Sequence, residues 1–447
     1  MEQVQPRSSQ PPLTPRALPP EVAGLLADFD FSTCLTCGMC SSGCPLSGAP
    51  GYEHLDIRRV LRMLSMGMVD EVVDSMFPWL CTGCGRCSLA CPMGIDIPAI
   101  MTHLKSLHPL RTMPGALHRG AMNDLEAGND PAIGIRDYLE GMADLGAQLA
   151  EEACPGFHVP MDRRNADLLF FPGSNEVYGD FENQFWWWKI FYAAREDWTA
   201  PVVGGQVLDR VPFTDDLDGP QRLAWRAIDT MESLNSKRMI MPDRIGGAYG
   251  CRTDMECCTA LLKQAGECIH FHEYLKEIIE QGRIRLDKSV HAGKTFVFHD
   301  SCKHGRELLQ HCGRAFFDEP RRVLDHCVDD RVEFYPAREA NYCCGAGGVW
   351  PMPFADQSAF HGRYKADQIR RCKADVVVVD CANCRDQIMK LLPRYNPDLD
   401  CEVKYLWQVV AEALVIDPLT GDDLARAQAQ ARAQWERFGV DLEDMVF

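Results

Sequence analysis

The residues that decide the fold are His299-Asp300-Ser301-Cys302, Cys343-Cys344-Gly345 and Cys381-Ala382-Asn383-Cys384. Forty residues separate Cys302 from the Cys-Cys pair, and thirty-six separate that pair from the closing C-x-x-C. Cys302 follows the apolar run Thr295-Phe296-Val297-Phe298-His299, and Cys381 follows Val376-Val377-Val378-Val379-Asp380. Short β-branched runs bounded by turn residues read as buried parallel strands. Thiolates placed just past such strands converge at the carboxyl edge of a doubly wound sheet, where ligands usually bind. Gly345, Gly347 and Gly348 form a loop whose backbone can approach a bulky bound group. Five thiolates are too many for one tetrahedral zinc and suit an iron–sulfur cluster.

The 447 residues suffice for two or three domains, and the apolar share of 46% and charged share of 25% are those of a globular protein. A formal charge of −18 argues against nucleic acid or an anionic lipid surface as the main partner. The segment Met1–Pro20 has no apolar leader core and no twin arginine, and no stretch is long and apolar enough to span a bilayer. With twenty-two cysteines, the expectation is a reducing cytoplasm in which dense cysteine means metal rather than disulfide. Attachment to the inner membrane is expected only through a partner subunit.

Working outward, residues 1–20 are rich in Pro, Ser and Gln and read as a disordered tail. Within 21–110 lie two copies of one motif, Cys34-x-x-Cys37-x-x-Cys40-x-x-x-Cys44-Pro45 and Cys81-x-x-Cys84-x-x-Cys87-x-x-x-Cys91-Pro92. A zinc reading uses paired cysteines and leaves the triple spacing unexplained. Between the copies, Leu55, Ile57, Val60, Leu61, Leu64, Val69, Val72 and Val73 recur at helical spacing. Residues 111–165 read as a helical connector. A strand at Asp167–Phe171 opens a segment, 166–292, with no Cys-Cys-Gly, although Cys251, Cys257 and Cys258 fall inside it. There Phe185-Trp186-Trp187-Trp188-Lys189-Ile190-Phe191-Tyr192 predicts a helix that is aromatic all round, buried either in its own fold or under a partner. Residues 293–415 hold the five-cysteine set, with strands expected at Thr295–His299, Val332–Tyr335, Asp375–Asp380 and Glu402–Tyr405. Residues 416–447 end in a helix over Asp422–Phe438. Cys154, Cys312, Cys327, Cys372 and Cys401 lie off every pattern and read as packing residues.

The doubled run resembles that of two-cluster ferredoxins, in which the fourth cysteine of each run ligates the other cluster. That resemblance implies two cubane [4Fe–4S] clusters, one on Cys34, Cys37, Cys40 and Cys91, the other on Cys81, Cys84, Cys87 and Cys44. The helical stripe between the runs is similar to the α-helical ferredoxins of heterodisulfide reductase and succinate dehydrogenase. Residue by residue, Cys302, Cys343, Cys344, Cys381 and Cys384 match the CCG-domain family, the cysteine-rich catalytic domain of heterodisulfide reductases. The match implies a non-cubane [4Fe–4S] cluster that works on sulfur–sulfur bonds. CCG proteins usually carry two repeats, so 166–292 is expected to be a first repeat stripped of most ligands, with Ser174 where the family has its leading cysteine. The fold class implied is α+β and multidomain: an α-helical two-cluster ferredoxin module, then an α/β CCG tandem with one degenerate repeat.

His299-Asp300-Ser301-Cys302-Lys303-His304-Gly305-Arg306 resembles the family's H-D-x-C-x-x-G-R stretch. Lys303 and Arg306 are candidates to offset cluster charge or hold an anionic substrate group. His304 and His299 are candidates to donate a proton to a departing thiolate. The resemblance implies the iron–sulfur catalytic subunit of a membrane-associated redox complex, with a cytochrome b or quinone-linked subunit and other subunits as partners. Its substrate would be a small thiol/disulfide or a small protein's cysteines. Two other readings share these modules: the iron–sulfur subunit of a glycolate- or lactate-type dehydrogenase, and an electron relay without a substrate site.

Overall fold

The computed structural model describes residues 31–108, 113–129, 131–171, 182–203, 211, 214, 219–240, 267–347, 354–441 and 445. Ser174, Gly348, Cys251, Cys257, Cys258 and the 1–20 tail lie outside the described residues.

The N-terminal module is helical: α1 (Met39–Gly43), α2 (Ile57–Ser65), α3 (Val69–Asp74), α4 (Arg86–Ala90) and α5 (Ile97–Ser106). Asp56 accepts from the Arg59 N–H at 2.8 Å and starts α2, whose Ile57, Val60, Leu61 and Leu64 are buried. Asp96 does the same for α5 through the Ala99 N–H at 3.2 Å. Gly38 (φ 86°) and Gly85 (φ 74°) precede α1 and α4 in the left-handed region. Each lets the chain double back so that the second and third cysteines of its run face one centre. The helices α6 (Gly115–Glu126) and α7 (Ile135–Glu152) follow.

Two parallel sheets come next. The first joins β1 (Leu168–Phe170), β2 (Trp198–Thr199), β3 (Arg238–Ile240) and β4 (Glu267–Ile269) in the order β2-β1-β3-β4, with α8 (Glu182–Ala193) between β1 and β2. The helix α9 (Phe271–Glu280) leaves β4. The second sheet joins β5 (Phe296–Phe298), β6 (Arg331–Val332), β7 (Val376–Val379) and β8 (Glu402–Tyr405) in the order β6-β5-β7-β8. Its helices are α10 (Asp318–Cys327), α11 (Ala355–Cys372), α12 (Ala382–Asp386) and α13 (Leu406–Ala413), before a final α14 (Gly421–Phe438). Every residue of β5 and β7 is buried, as a parallel sheet covered on both faces requires. In each sheet the strand order reverses between the first and third strands, the place where such folds bind ligands. The chain is thus the α+β molecule the sequence implied.

One detail differs from the expectations, and one open alternative closes. The strand expected at Val332–Tyr335 is β6, only Arg331–Val332, because Glu333 turns out to pair with Arg321 and Arg331 at the sheet edge. The aromatic helix α8 is enclosed within this chain. Phe170 of β1 packs on Phe191 and Trp187 with ring centroids 5.1 and 6.1 Å apart, while Trp407 of α13 stacks on Trp187 at 5.5 Å. Trp186 turns the third way, to Tyr405 at 5.9 Å. Two sheets, each offering an apolar surface, account for a helix with no polar face.

Candidate metal centres

Among the described residues every cysteine is a free thiol, so none is spent on disulfides. In the helical module the eight run cysteines sort into two groups. Cys34, Cys37, Cys40 and Cys91 line one cavity, together with Leu35, Arg58 and Met93. Burial raises the Cys40 thiol, and Cys34 and Cys91 beside it add to the effect. Cys44 is pushed up by burial and by neighbouring Cys84 and Cys81, and Cys87 by burial and by Cys44, Cys81 and Cys84. Each run therefore sends its fourth cysteine to the other group. Four thiols crowded without a facing cation are unstable as thiolates unless a polycationic centre lies between them, and this donor set fits [4Fe–4S] cubanes. Cys37 is exposed, whereas Cys81, Cys84 and Cys87 are buried. Lys105, pushed down to about 7 by burial, donates to the Cys81 carbonyl at 2.8 Å.

At the second sheet, the strand ends gather the other five cysteines. Cys302 follows β5 and opens a π-helical turn (Lys303–Glu307), Cys381 caps α12 after β7, and Cys384 lies within α12. The Cys343-Cys344 loop crosses above them. Cys343 Sγ lies 4.0 Å from Cys302 Sγ, and Cys344 Sγ lies 3.3 Å from Cys384 Sγ. No one of the five is more than 8% exposed. Their thiols shift one another in opposite directions. Hydrogen bonding from Cys343 lowers Cys344, and bonds to Cys302 and Cys344 raise Cys343 and Cys384 respectively. Five convergent sulfurs fit an iron–sulfur centre larger than a single metal ion.

The non-cysteine candidates are placed unequally. His299, lowered by burial, lies with Cys344 and Cys384, its ligating atoms within 4.8 Å of theirs, and its Nδ1 is 3.2 Å from Asn341 Nδ2. His304 turns toward Asp380 Oδ2, 3.1 Å away, and Ser301 Oγ. Lys303 pairs with Glu307 at 3.0 Å. Arg306 is a buried clamp: it donates to the carbonyls of Cys84 (2.8 Å), Glu339 (2.9 Å) and Asn341. Gly345 (φ 98°) makes its close approach to α11, where an added Cβ would meet Ser358 O at 2.5 Å. Gly347 also has positive φ.

Several contacts at the site, and the residues His361, Arg86, Lys365, His272 and Asp380 that make them, are not foreseen from the sequence. Cys84 of the ferredoxin module, Cys343 and His361 of α11 bring their ligating atoms within 4.8 Å of one another. Hydrogen bonding from Cys343 lowers the Cys84 thiol. Arg86 reaches the Ala340 and Asn341 carbonyls, so the two modules are locked where these cysteines meet. Lys365, pushed down to about 7 by burial, donates to Asn341 Oδ1 at 2.7 Å. His272 and Asp380 form a separate buried group with His304. The one sequence signal for it is His270-Phe271-His272 directly after a strand.

Two family models match the chain: a 4Fe–4S dicluster domain over residues 30–95 and the CCG cysteine-rich domain over residues 296–389. One subunit of the dihydromethanophenazine:CoB–CoM heterodisulfide reductase of Methanosarcina mazei is 24% identical over 87% of this chain and 95% of its own length. This chain is a CCG-domain iron–sulfur protein, similar to that heterodisulfide reductase component. An EtfAB:quinone oxidoreductase of Syntrophomonas wolfei is 23% identical over 80% of the chain and 55% of that protein. The Hdr-like menaquinol oxidoreductase iron–sulfur subunit 2 of Archaeoglobus fulgidus is 24% identical over 61% of the chain and 55% of that protein. The CCG protein is thus an iron–sulfur oxidoreductase subunit that holds [4Fe–4S] clusters, and its relatives work inside multi-subunit redox complexes. Among the described residues, no helix is long and apolar enough to cross a membrane.

Proposed function

We propose that this CCG protein is the catalytic iron–sulfur subunit of a membrane-associated redox complex that interconverts a disulfide and two thiols. The observation that carries the reading is the meeting of Cys84, Cys343 and His361, which puts a ferredoxin ligand against the five-cysteine site inside one chain. The proposed cubane ligands are Cys34, Cys37, Cys40 and Cys91 for an outer cluster, and Cys81, Cys84, Cys87 and Cys44 for an inner one. A third, non-cubane cluster is assigned to Cys302, Cys343, Cys344, Cys381 and Cys384. When bound, the cubanes supply single-electron carriers and the third cluster an iron open to a substrate sulfur. The proposed organisation is a ferredoxin module at 21–110, a connector at 111–165, a ligand-poor repeat at 166–292, the intact CCG domain at 293–415 and a closing helix at 416–447.

The chain's own residues order this path. Cys37 is exposed, and Leu35, Met39 and Met93 around it are exposed as well, so the outer group faces a partner such as a cytochrome b or quinone-linked subunit. The inner group is buried between that surface and the CCG site. Arg306 and Arg86 fix the junction by holding the Cys84 and Asn341 loops together. Reducing a disulfide takes two electrons and two protons, and forming one releases them. His299 is the imidazole retained beside the sulfurs and is assigned the proton-bearing role. Lys303 and Arg306, candidates to offset cluster charge or hold an anionic group, and His304, a candidate proton donor, are reassigned to holding the loop that carries Cys302.

Metal analysis and electron paramagnetic resonance test the proposal. The anaerobically prepared chain should hold about twelve iron atoms. Cys343→Ser should hold about eight, lose the thiol-responsive signal and disulfide turnover, and keep the ferredoxin signals. Cys37→Ser should do the reverse, retaining the thiol response without turnover. Disulfide turnover surviving in Cys343→Ser would overturn the assignment. A wild type unresponsive to thiol would make the chain a relay.

A further inference from the structure

A second group of metal-type ligands lies behind the cysteines. His272 opens α9 of the first repeat, His304 lies in the turn after Cys302, and Asp380 ends β7; all three are at most 1% exposed. His272 Nε2 and His304 Nδ1 are each 3.1 Å from the same oxygen, Asp380 Oδ2. Neither carboxylate oxygen of Asp380 is in an aligned hydrogen bond, and neither His272 Nε2 nor His304 Nε2 has a hydrogen-bond partner.

The hydrogen bonds around His270 fix what His272 presents. His270 Nδ1 accepts the backbone N–H of His272 at 3.3 Å, so it carries no proton. The His272 ring approaches that nitrogen with its own Nδ1 at 3.2 Å and must donate from there. A neutral His272 then turns a bare Nε2 lone pair on a carboxylate oxygen. Two acceptors facing each other out of water are strongly unfavourable unless a cation lies between them. Among the described residues the ion-pair partners of Asp380 are these two histidines, so no lysine or arginine supplies that charge.

We infer that His272, His304 and Asp380 hold one zinc-class divalent ion, separate from the cysteine-bound clusters, that pins the first repeat to the catalytic one. Two imidazole nitrogens and a carboxylate oxygen are ordinary zinc ligands, and bonds of about 2.0–2.1 Å allow neighbouring ligand atoms to lie a little over 3 Å apart. With both oxygens of Asp380 buried and uncommitted, a chelating carboxylate completes four-coordination, and full burial admits no substrate, which makes the site structural. Its ligands flank the cluster cysteines in sequence: Asp380 adjoins Cys381, and His304 lies two residues past Cys302. The ion would thus hold the start of both cysteine segments against α9, a helix contributed by the repeat that has lost its own ligands. This does not depend on the disulfide chemistry.

The test is zinc content and zinc-edge X-ray absorption on the anaerobically purified full chain. About one zinc per chain is expected, with nitrogen and oxygen neighbours at about 2.0–2.1 Å and no sulfur shell near 2.3 Å. His272→Gln should lose that zinc while keeping wild-type iron content and ferredoxin signals. Should His272→Gln lose its iron as well, the wild-type zinc shell decides. A wild type with full iron and no zinc, even after incubation with zinc salt, overturns the proposal in favour of a protonated His272. A sulfur shell, or a nitrogen–oxygen zinc that survives in His272→Gln, overturns it too.

Discussion

The two sheets have one strand order and differ in what their strand ends carry. In the second, the strand ends carry Cys302 and Cys381, whereas β1 and β3 of the first end in Phe170 and Ile240 and bring no described cysteine to their edge. What they share is architectural. After the last strand of each sheet, the chain caps its next helix in the same way: the His270 N–H reaches Glu273 and the Tyr405 N–H reaches Gln408, both at 3.3 Å. Apolar strands and helix caps suffice to specify the layer, and thiolates are an addition at the edge. The first repeat is kept by packing. Its α8 fills the space between the sheets, and Trp407 of α13 beside the second sheet donates to Asn183 there.

That comparison breaks if the first repeat is a passive appendage. Trp187 is fully buried and touches rings from both repeats. Trp187→Ala should cost about 3–5 kcal/mol and, although remote from every cysteine in sequence, should lower iron retention at the five-cysteine site on mild heating. Thermal unfolding followed at the cluster absorbance measures both. Unchanged iron loss alongside a lowered midpoint would show that the repeats unfold separately.

A smaller effect sharpens the same contrast from the other side. The five-cysteine domain is tied to the ferredoxin module by Arg306. Arg306→Met leaves the carbonyls of Cys84, Glu339 and Asn341 without that donor, at a cost on the order of 1–3 kcal/mol. It should slow reoxidation of the reduced ferredoxin module by a disulfide while iron content stays at the wild-type level. Unaltered reoxidation in rapid-mixing measurements would remove Arg306 from the junction.

Arg306 also marks the limit of what the sequence discloses. Its charge beside Cys302 reads as offsetting cluster charge or holding an anionic substrate group, but where its donors point depends on Cys84 and Asn341, distant in the chain. His361 belongs to no sequence motif and becomes a neighbour of Cys84 only through the docking of two modules. The cysteines and β7 are legible because their signals are local: fixed spacing, and Val376–Val379 as an unbroken apolar run. Asp380 reads only as the end of that run, since its histidine partners, His272 and His304, both lie far earlier in the chain.

The smallest effect concerns charge. At the entry to the first sheet, Lys237 and Asp167 pair 2.5 Å apart with side chains 75% and 50% exposed. In the second sheet, Arg321 grips Asp300 through two bonds of 2.7 and 3.0 Å with both side chains nearly buried. The lengths are similar and the surroundings are not. An exposed pair exchanges hydration for a screened attraction and loses side-chain freedom, so its net contribution is small. A buried pair has already lost its water, and removing the cation strands a carboxylate. Lys237→Ala should therefore leave the unfolding midpoint unchanged within error, at low and at high salt. Arg321→Met should lower it clearly and release Asp300, which also accepts the Arg338 N–H at 2.7 Å beside the Cys343 loop. The two variants are compared in one denaturation series across ionic strength. A salt-sensitive loss in Lys237→Ala equal to that in Arg321→Met would mean that the first sheet depends on its surface charges as the second does on its buried ones.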